Sequence, residues 1–448
     1  MVWAAVKTRR AQRPVVHGVA GGTDMADARG VAGPWMVLCL VLGGCAALNH
    51  EASTPSRPPA SSKQHEASLP TAAPASSKLE DAHGDFALGL RYLEGRGVPK
   101  DEDRAAALFA QACIGGVAEG CHNLGMRYLE GQGVPKDEPR AAALFEQACT
   151  EGISQGCGAL GTLYTVGRGV PKDEPRAAAL FEQACAGGHA QGCFNHGVAF
   201  LEGKGLPKDE HRAAALFEQS CTAGMPQGCF NLASLYLTGI GVRTDEPRAA
   251  VLFDQACTAG MAQGCFNLGL IYSTGLGVPK DDHRAAALFE QACTGGMAEG
   301  CLNLAVFSRD GRGVQKDEYR ITMLLERACT GGMAQGCLVL AERYLEGQGT
   351  SKNESSAAAL YEQACTEGDA QGCFNLGLLY STGRGVPKDE LRAAALFEQT
   401  CTRGMAQGCL NLGFLYWHGR GVQKDKRRAV ALRERACRAG LSEACPPR

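Results

Sequence analysis

Cysteine is the residue whose spacing bears most directly on chemistry in this chain of 448 residues. Of the 22 cysteines, twenty form pairs spaced C-x7-C that recur every 36 residues without an insertion. Thiols in this arrangement could stay reduced, bind zinc or form disulfides. The pairs are Cys113 and Cys121, Cys149 and Cys157, Cys185 and Cys193, Cys221 and Cys229, Cys257 and Cys265, Cys293 and Cys301, Cys329 and Cys337, Cys365 and Cys373, Cys401 and Cys409, and Cys437 and Cys445.

Zinc fits these pairs poorly, because each unit supplies only two thiols, no C-x2-C motif occurs and no histidine recurs beside them. Reduced thiols are expected in the cytosol, whereas an even, rigidly spaced set in an exported chain favours disulfides. Each bridge would close a loop of about nine residues and restrict the unfolded chain by roughly 2.5 kcal/mol. The sequence therefore predicts disulfides within these pairs, no metal and no cofactor.

The N-terminal region predicts export. Val31 to Leu42 is an apolar run too short to span a bilayer, and a Leu-Gly-Gly-Cys motif ends it at Cys45. This pattern resembles a bacterial lipoprotein signal, in which Cys45 would carry the lipid. A chance apolar stretch is the alternative, and Met25 is a more natural start. We therefore expect residues 1–45 to be a signal region and the protein to be an outer-membrane lipoprotein of the bacterial cell envelope, facing the periplasm or the cell surface.

Residues 46–83 are rich in Ala, Ser and Pro and nearly free of large apolar side chains. Such a segment cannot bury enough surface to fold, so it predicts a flexible linker. The whole chain has 45 basic and 47 acidic residues, a formal charge of -2. This balance gives no electrostatic footprint for nucleic acid or an anionic membrane, so we expect membrane contact only through the lipid.

The elements that carry the cysteines are helical hairpins. In one unit, apolar residues at helical spacing predict helix A over Ala118–Glu130, and Gly131 is a left-handed terminator. Asp137 is an N-cap for helix B, which contains Cys149 and ends at Gly152. The mid-helix glycine of helix A, Gly125, costs helix stability and so indicates close approach of a neighbouring helix.

A hairpin of this size buries little core alone and must stack on its neighbours, as in repeat proteins. The fold class predicted is all-α, an α/α superhelical solenoid of about ten disulfide-stapled 36-residue helix-turn-helix repeats. Residues 84–441 form this solenoid, and residues 442–448 are a truncated repeat. In the eighth unit the loop loses its proline and arginine, while Asn353 can still cap the helix.

The unit A-x-G-C-x-N-L-G-x-x-Y-x-x-G-x-G-V-P-K-D-x-x-R-A-A-x-L-F-x-x-A-C resembles the Sel-like repeat, a relative of the tetratricopeptide repeat. Its C-x7-C form is similar to the cysteine-rich, exported Hcp-type proteins, several of which carry beta-lactamase or penicillin-binding designations. The resemblance implies an adaptor that holds a protein or peptide on the concave face of the solenoid. It is specific for the fold and not for the partner.

The motifs of serine beta-lactamases are missing from the sequence. Such an enzyme requires S-x-x-K, S-D-N and K-T-G elements, and none of the three occurs. His211 and His283 occupy a variable position of helix B, which predicts surface residues. His196 takes a leucine position, which predicts a core residue. We expect no catalytic residue.

An asparagine recurs two residues after the second cysteine of most units. Asparagine has poor helix propensity, so its recurrence needs a reason. It could bind the backbone of an extended ligand, or it could bond to the loop of the adjacent hairpin. These candidate binding residues are Asn123, Asn195, Asn231, Asn267, Asn303, Asn375 and Asn411. Variable residues of the same face, expected to set specificity, include Arg127, Glu130, Glu202, Arg309, Arg343, Glu346 and His418.

Two functions from different classes follow. The first is a lipid-anchored envelope scaffold that binds a peptide, a protein segment or a peptidoglycan-like polymer. The second is a penicillin-binding or beta-lactam-hydrolysing envelope enzyme, which the missing motifs disfavour.

Overall fold

A computed structural model describes residues 75–445 of the chain, and these residues form twenty α-helices in ten hairpins. The first helices of the hairpins, the A helices, are α1 (Ala75–Glu94), α3 (Ala118–Glu130), α5 (Ser154–Val166), α7 (Ala190–Glu202), α9 (Pro226–Thr238), α11 (Ala262–Thr274), α13 (Ala298–Asp310), α15 (Ala334–Glu346), α17 (Ala370–Thr382) and α19 (Ala406–His418). The second, the B helices, are α2 (Glu102–Ile114), α4 (Glu138–Thr150), α6 (Glu174–Ala186), α8 (Glu210–Thr222), α10 (Glu246–Thr258), α12 (Asp282–Thr294), α14 (Glu318–Thr330), α16 (Glu354–Thr366), α18 (Glu390–Thr402) and α20 (Lys426–Arg438). The predicted all-α solenoid is confirmed.

The loop chemistry sets the helix ends as predicted. Asp137 has an extended backbone, and its carboxylate accepts a hydrogen bond from the Arg140 backbone N–H at 3.0 Å. Gly131 ends α3 with a φ of 72°, which a side chain disfavours. Asn353 caps α16 in the same way, accepting from Ser356 N–H at 3.0 Å.

The N-terminal boundary of the solenoid differs from the prediction. Helix α1 begins at Ala75, so the residues up to His83 are helical and do not belong to a linker. Ala82 is buried beside Ala112 and Val117, which gives this segment a packing partner that composition alone does not reveal. The predicted signal region 1–45, with Cys45, and the first part of the linker lie outside the described residues.

The C-terminal stub is shorter than a helix. Ser442–Ala444 form one 3-10 turn, and Cys445 is bonded to Cys437. The stub therefore covers the end of α20 near the bridge without supplying another A helix.

The described residues divide into two compact units, 75–259 and 260–445. The N-terminal unit contains α1 to α10 and the C-terminal unit contains α11 to α20. Within each unit, an A helix packs on its own B helix, and that B helix packs on the next A helix. Each unit is thus a stack of hairpins whose core runs between successive helices.

A phenylalanine of the B helix is central to the core of most hairpins. Phe145 is fully buried, and a Cβ placed on Gly125 would lie 2.7 Å from its ring. The glycine is therefore needed because the ring lies directly on the A-helix backbone, which confirms the predicted close approach. Replacing the buried phenylalanine of such a core by alanine lowers the free energy of unfolding by about 3–5 kcal/mol.

All twenty cysteines of the repeats are disulfide-bonded. Nine bridges join Cys113 to Cys121, Cys149 to Cys157, Cys185 to Cys193, Cys221 to Cys229, Cys293 to Cys301, Cys329 to Cys337, Cys365 to Cys373, Cys401 to Cys409 and Cys437 to Cys445. Cys257 and Cys265 are disulfide-bonded as well. Each of the nine links the end of a B helix to the start of the following segment, as the spacing predicts.

The second cysteine of most bridges is also a core residue. The sequence predicted the covalent bond but not this role in packing. The exposed fraction is 0% for Cys121, 5% for Cys229, 3% for Cys301 and 0% for Cys337. Cys121 belongs to the same buried cluster as Ala148 of the following B helix. A buried half-cystine cannot contact a ligand at the surface, so these four residues act in packing and cross-linking and do not form a binding site.

Candidate functional site

The recurring arginine of the B helices contributes to packing between hairpins. The Arg176 guanidinium lies 4.7 Å from the centroid of the Tyr164 ring and 2.6 Å from a carboxylate oxygen of Glu146 in the preceding B helix. Both partners of this ion pair are about half exposed, so the pair contributes no more than about 1 kcal/mol. The same arrangement recurs where Arg248 pairs with Glu218 and where Arg428 pairs with Glu398. This surface is therefore already occupied by contacts within the solenoid.

The candidate asparagines bond mainly within their own helices. Four of their side-chain amides donate to the backbone carbonyl four residues earlier at 2.9 Å, those of Asn123, Asn267, Asn303 and Asn411. Asn195 Oδ1 accepts from Gln191 Nε2 at 2.9 Å, and Asn375 accepts similarly from Gln371. These bonds do not run to an adjacent loop. Asn231 is 3% exposed, and its amide nitrogen has no hydrogen-bond partner among the described residues. A role in ligand binding stays a prediction for all seven.

A cleft of about 160 Å³ lies between α5 and α7, over helix α6. The two A helices contact one another directly. Its walls are Thr162, Thr165, Val166, Glu174, Ala177, Ala178, Phe181, Asn195, Val198, Ala199 and Lys204. The cleft thus contains one of the candidate asparagines, beside mostly apolar and hydroxyl side chains.

Short side chains on α5 make room for this cleft. The positions of Thr162, Thr165 and Val166 are filled in α3 by methionine, leucine and glutamate. Replacing long side chains by short ones while the backbone spacing stays the same leaves a recess between the helices. The sequence contained this signal, but only a comparison of repeat positions could have found it.

The rim of the cleft is charged. Lys204 forms an ion pair with Glu202, and the hydrogen bond that its ammonium donates to this carboxylate raises the pKa of Lys204. The hydrogen bond from Lys172 lowers the pKa of Glu174, and the nearby charge of Lys204 adds to this effect. Both groups are therefore ionised at neutral pH and border an apolar floor. This combination suits an apolar side chain whose flanking backbone reaches the polar edge.

The corresponding place in the C-terminal unit is built differently. Residues 180 positions apart occupy the same place in the hairpin, because five repeats separate them. Glu342 stands where α5 has Thr162, and Tyr361 stands where α6 has Phe181. Burial, with a smaller contribution from Glu346, raises the pKa of Glu342 to about 7. The site between α15 and α17 therefore holds a half-buried carboxyl that titrates near neutrality.

Tyr361 completes this polar site. Its side chain is 2% exposed, and burial raises the pKa of its hydroxyl well above the usual range. The Glu342 carboxyl raises that pKa further, while a hydrogen bond with the Asn375 side chain opposes the change. The hydroxyl, the carboxyl and the amide form a local polar group where the N-terminal unit has an apolar wall.

One residue expected to set specificity is buried instead. Arg343 is 5% exposed, and its guanidinium donates to Glu318 Oε2 at 2.8 Å and to Thr322 Oγ1 at 3.1 Å. Thr322 replaces the alanine of other hairpins and supplies a hydroxyl acceptor. Because its donors are used internally, Arg343 is a packing residue, which corrects the expectation.

The histidines are placed as predicted. His196 is 7% exposed and lies 4.8 Å from Phe200 between ring centroids, and burial lowers its pKa. His211 and His283 are exposed. In the described part of the chain, no group of three or more His, Cys, Asp or Glu residues could hold a metal ion. Within the same residues, no helix is both long and apolar enough to cross a membrane.

These hairpins are Sel1 repeats. The Sel1 repeat family matches ten consecutive segments of the chain, and the chain therefore belongs to this family. The segments are 82–117, 118–153, 154–189, 190–225, 226–261, 262–297, 298–333, 334–369, 370–405 and 406–441. Sel1 repeat proteins generally mediate protein–protein interactions. No curated protein matches the chain.

Solved structures similar to this chain come from several bacteria. The protective antigen c5321 of uropathogenic Escherichia coli, which displays an SLR fold, is 26% identical with a TM-score of 0.59, over 83% of this chain and 87% of that one. A Sel1 repeat protein of Oxalobacter formigenes is 24% identical with a TM-score of 0.53, over 67% and 87%. Helicobacter pylori cysteine rich protein B is 27% identical with a TM-score of 0.25, over 29% and 93%.

Proposed function

We propose that this protein is a lipid-anchored scaffold of the bacterial cell envelope that binds an extended segment of a protein partner along its A helices. The α5–α7 cleft is the observation that carries the proposal. It combines an apolar floor at Phe181 and Val198 with the Asn195 amide at its wall. A peptide fits this chemistry because one of its side chains can enter the recess while its backbone bonds to the amide.

Filling the cleft tests the proposal. Val198→Phe places a ring in the recess, and we expect partner binding to fall at least about tenfold. The matched control is Val251→Phe, which adds the same ring at a position that is 58% exposed. The partner is identified first, with a photo-crosslinking amino acid at Thr165 in the cleft. The same amino acid at Thr150, exposed at the end of α4, controls for random collisions.

Crosslinking from Thr165 and from Thr150 shows whether the partner binds in the cleft. Crosslinks from Thr165 that vanish in Val198→Phe and persist in Val251→Phe support the cleft. Equal crosslinking from Thr165 and Thr150 contradicts it.

Asn195→Ala removes one neutral hydrogen bond, worth about 1 kcal/mol, so we expect roughly a fivefold loss of affinity in the same assay.

The anchor has its own test. Cys45→Ser removes the sulfur that would carry the lipid, and we expect an unprocessed precursor of higher mass. Normal maturation of this variant would contradict the proposed lipid anchor. It would not contradict partner binding in the cleft. Because Ala46 and not Asp follows the cysteine, we expect the wild type in the outer-membrane fraction. The similar Escherichia coli structure is that of a protective antigen, which supports a search in the envelope.

A further inference from the structure

Helix α20 differs from every other B helix in its charge. Its sequence, KRRAVALRERACR, contains six cations and a single carboxylate, Glu434. The preceding B helix, α18, has the sequence ELRAAALFEQTCT, with one cation and two carboxylates. The near-neutral charge of the whole chain therefore hides a strongly basic helix in the last hairpin.

The change falls on positions that other hairpins use for stacking. In α18, Glu390 pairs with Arg420 at 2.6 Å, and Phe397 is 1% exposed beneath the next hairpin. The corresponding residues of α20 are Lys426 and Arg433. If a second copy of the chain stacked on α20 as the last hairpin stacks on α18, its arginine equivalent to Arg420 would lie against Lys426. Two positive charges would then meet where α18 has an ion pair. The face is therefore unsuited to continued stacking or to head-to-tail self-association.

Several cations of α20 are not consumed by internal contacts. Arg428 pairs with Glu398, and Arg433 Nε donates to the Ala444 carbonyl at 2.9 Å. Among the described residues, no ion pair involves Arg427, Arg435 or Arg438, and all three are exposed. Arg427 and Arg438 lie eleven residues apart, about three turns or 16 Å along one side of the helix. They form an extended basic strip rather than a pocket.

Apolar side chains accompany this strip. Trp417 is 44% exposed and Val430 is 46% exposed. The Lys426 ammonium lies 5.3 Å from the Trp417 ring centroid, so the ring and the charge are presented together. Arginine binds phosphate through several N–H donors, and tryptophan favours the boundary between water and lipid. Solvation alone would account for the charges of a terminal repeat, but not for an exposed tryptophan and valine among them.

We propose that α20, with Trp417, docks on the phosphate-bearing surface of a lipid bilayer. We define this surface as the basic end face, made of Trp417, Lys426, Arg427, Val430, Arg435 and Arg438. Each arginine near an anionic surface contributes about 1 kcal/mol, so several such residues can hold the last hairpin against a membrane at low salt. The interaction is independent of the proposed α5–α7 cleft and of any acyl chain.

Vesicle sedimentation tests this proposal. The full chain carries Cys45→Ser in every sample, so that an acyl chain contributes to none of them. We expect binding to vesicles of phosphatidylglycerol and phosphatidylcholine at 50 mM salt, weaker binding at 300 mM salt, and little binding to pure phosphatidylcholine. R427E/R435E should weaken binding to the anionic vesicles at least about tenfold. Circular dichroism checks that each variant remains folded.

The matched control is R243E/R327E. It makes the same change in net charge at two exposed arginines, and Arg327 occupies in α14 the place that Arg435 has in α20. We expect this control to bind like the parent. Equal loss in the two double variants would overturn the proposal, because binding would then depend on net charge alone. Unchanged binding of R427E/R435E would overturn it as well.

A polyglutamate peptide separates a membrane from an acidic protein partner. If the basic end face bound this peptide while the anionic vesicles did not sediment the protein, the membrane proposal would be wrong. Trp417→Ser adds a further readout: we expect weaker vesicle binding with an unchanged salt dependence. A variant that loses no affinity would show that the ring does not contact the bilayer.

Discussion

The α5–α7 cleft and the α15–α17 site occupy the same place in their hairpins, yet they present opposite chemistry. In the first, Thr162 and Phe181 border an open, largely apolar recess. In the second, Glu342 and Tyr361 replace them, and the carboxyl is half-buried with another acid, Glu346, nearby. The backbone scaffold is shared, and the side chains alone decide what each place can bind.

This comparison separates two kinds of residue in a repeat protein. The loop glycines, the caps and the disulfides recur because each hairpin must turn and join the next in the same way. The positions of Thr162 and Glu342 face between successive A helices and can change without altering the hairpin. Diversity at these positions is what allows a scaffold of near-identical units to hold a specific partner.

The largest expected effect tests whether the aromatic core is equivalent at the two places. Phe181→Ala and Tyr361→Ala each remove a buried ring, and we expect a loss of about 3–5 kcal/mol in urea unfolding. Val251→Ala, at an exposed position of α10, should change stability by less than about 0.5 kcal/mol. Tyr361→Phe removes only the hydroxyl and should cost no more than about 1 kcal/mol. A loss of several kcal/mol there would show that the hydroxyl, not the ring, dominates the site.

The bridges should be equivalent even where the side chains differ. Cys185→Ser with Cys193→Ser, and Cys365→Ser with Cys373→Ser, each open a loop of about nine residues, and we expect about 2.5 kcal/mol from each pair. Hydrogen exchange should accelerate in the flanking hairpins and remain slow elsewhere in the same unit. Acceleration throughout the unit would indicate greater cooperativity than neighbour-only contacts allow.

An intact mass measurement checks the bridges before any mutation. With all twenty half-cystines bonded, the oxidised chain should be lighter than the reduced chain by the mass of twenty hydrogen atoms. Peptide maps should link near neighbours such as Cys401 and Cys409. Links between distant hairpins would contradict the arrangement.

The repeating framework was predictable, because it depends on local chemistry. The spacing of Cys149 and Cys157, the cap at Asp137 and the turn at Gly131 each act within a few residues, so the sequence predicts them directly. The cleft was not predicted, because it depends on which side chains of α5 and α7 meet across the hairpins. The start of α1 at Ala75 was missed for the same reason, since its packing partners lie in α2 and just beyond it.

The carboxyl of the α15–α17 site predicts a pH dependence that the α5–α7 cleft lacks. Glu342 titrates at about 7 in the folded chain, above its ordinary value of 4.5. Below pH 4.5 both states are protonated and no penalty exists. As the pH rises from 4.5 to 7 the unfolded state loses its proton first, so stability falls, by about 3 kcal/mol in total.

Glu342→Leu removes this penalty. We expect the variant to be more stable than the wild type by about 2–3 kcal/mol at pH 8 and equally stable near pH 4, in urea unfolding followed by circular dichroism. Glu130→Gln, an exposed residue of α3, serves as the control and should show no such difference. A Glu342→Leu variant less stable than the wild type at pH 8 would mean that the carboxyl has a stabilising partner in the folded state.

The smallest effect concerns the residue beneath each aromatic ring. Gly161 lies under Phe181, and an added Cβ would be 2.7 Å from that ring and 3.2 Å from the Ala177 carbonyl oxygen. In α15 the same place is held by Ala341, which is fully buried beneath Tyr361. Gly161→Ala gains about 1 kcal/mol of helix propensity but must displace the ring, at a cost of about 1–3 kcal/mol.

We therefore expect Gly161→Ala to destabilise the N-terminal unit by about 1 kcal/mol. Ala341→Gly should lower the stability of the C-terminal unit by about 1 kcal/mol, because glycine has the lower helix propensity. Urea unfolding of both variants measures the two effects. A stabilised Gly161→Ala would show that Phe181 can shift, and because Phe181 forms the floor of the cleft, partner binding should change with it. If Gly161→Ala were destabilised and bound the partner unchanged, the Phe181 ring would contribute to packing and not to binding.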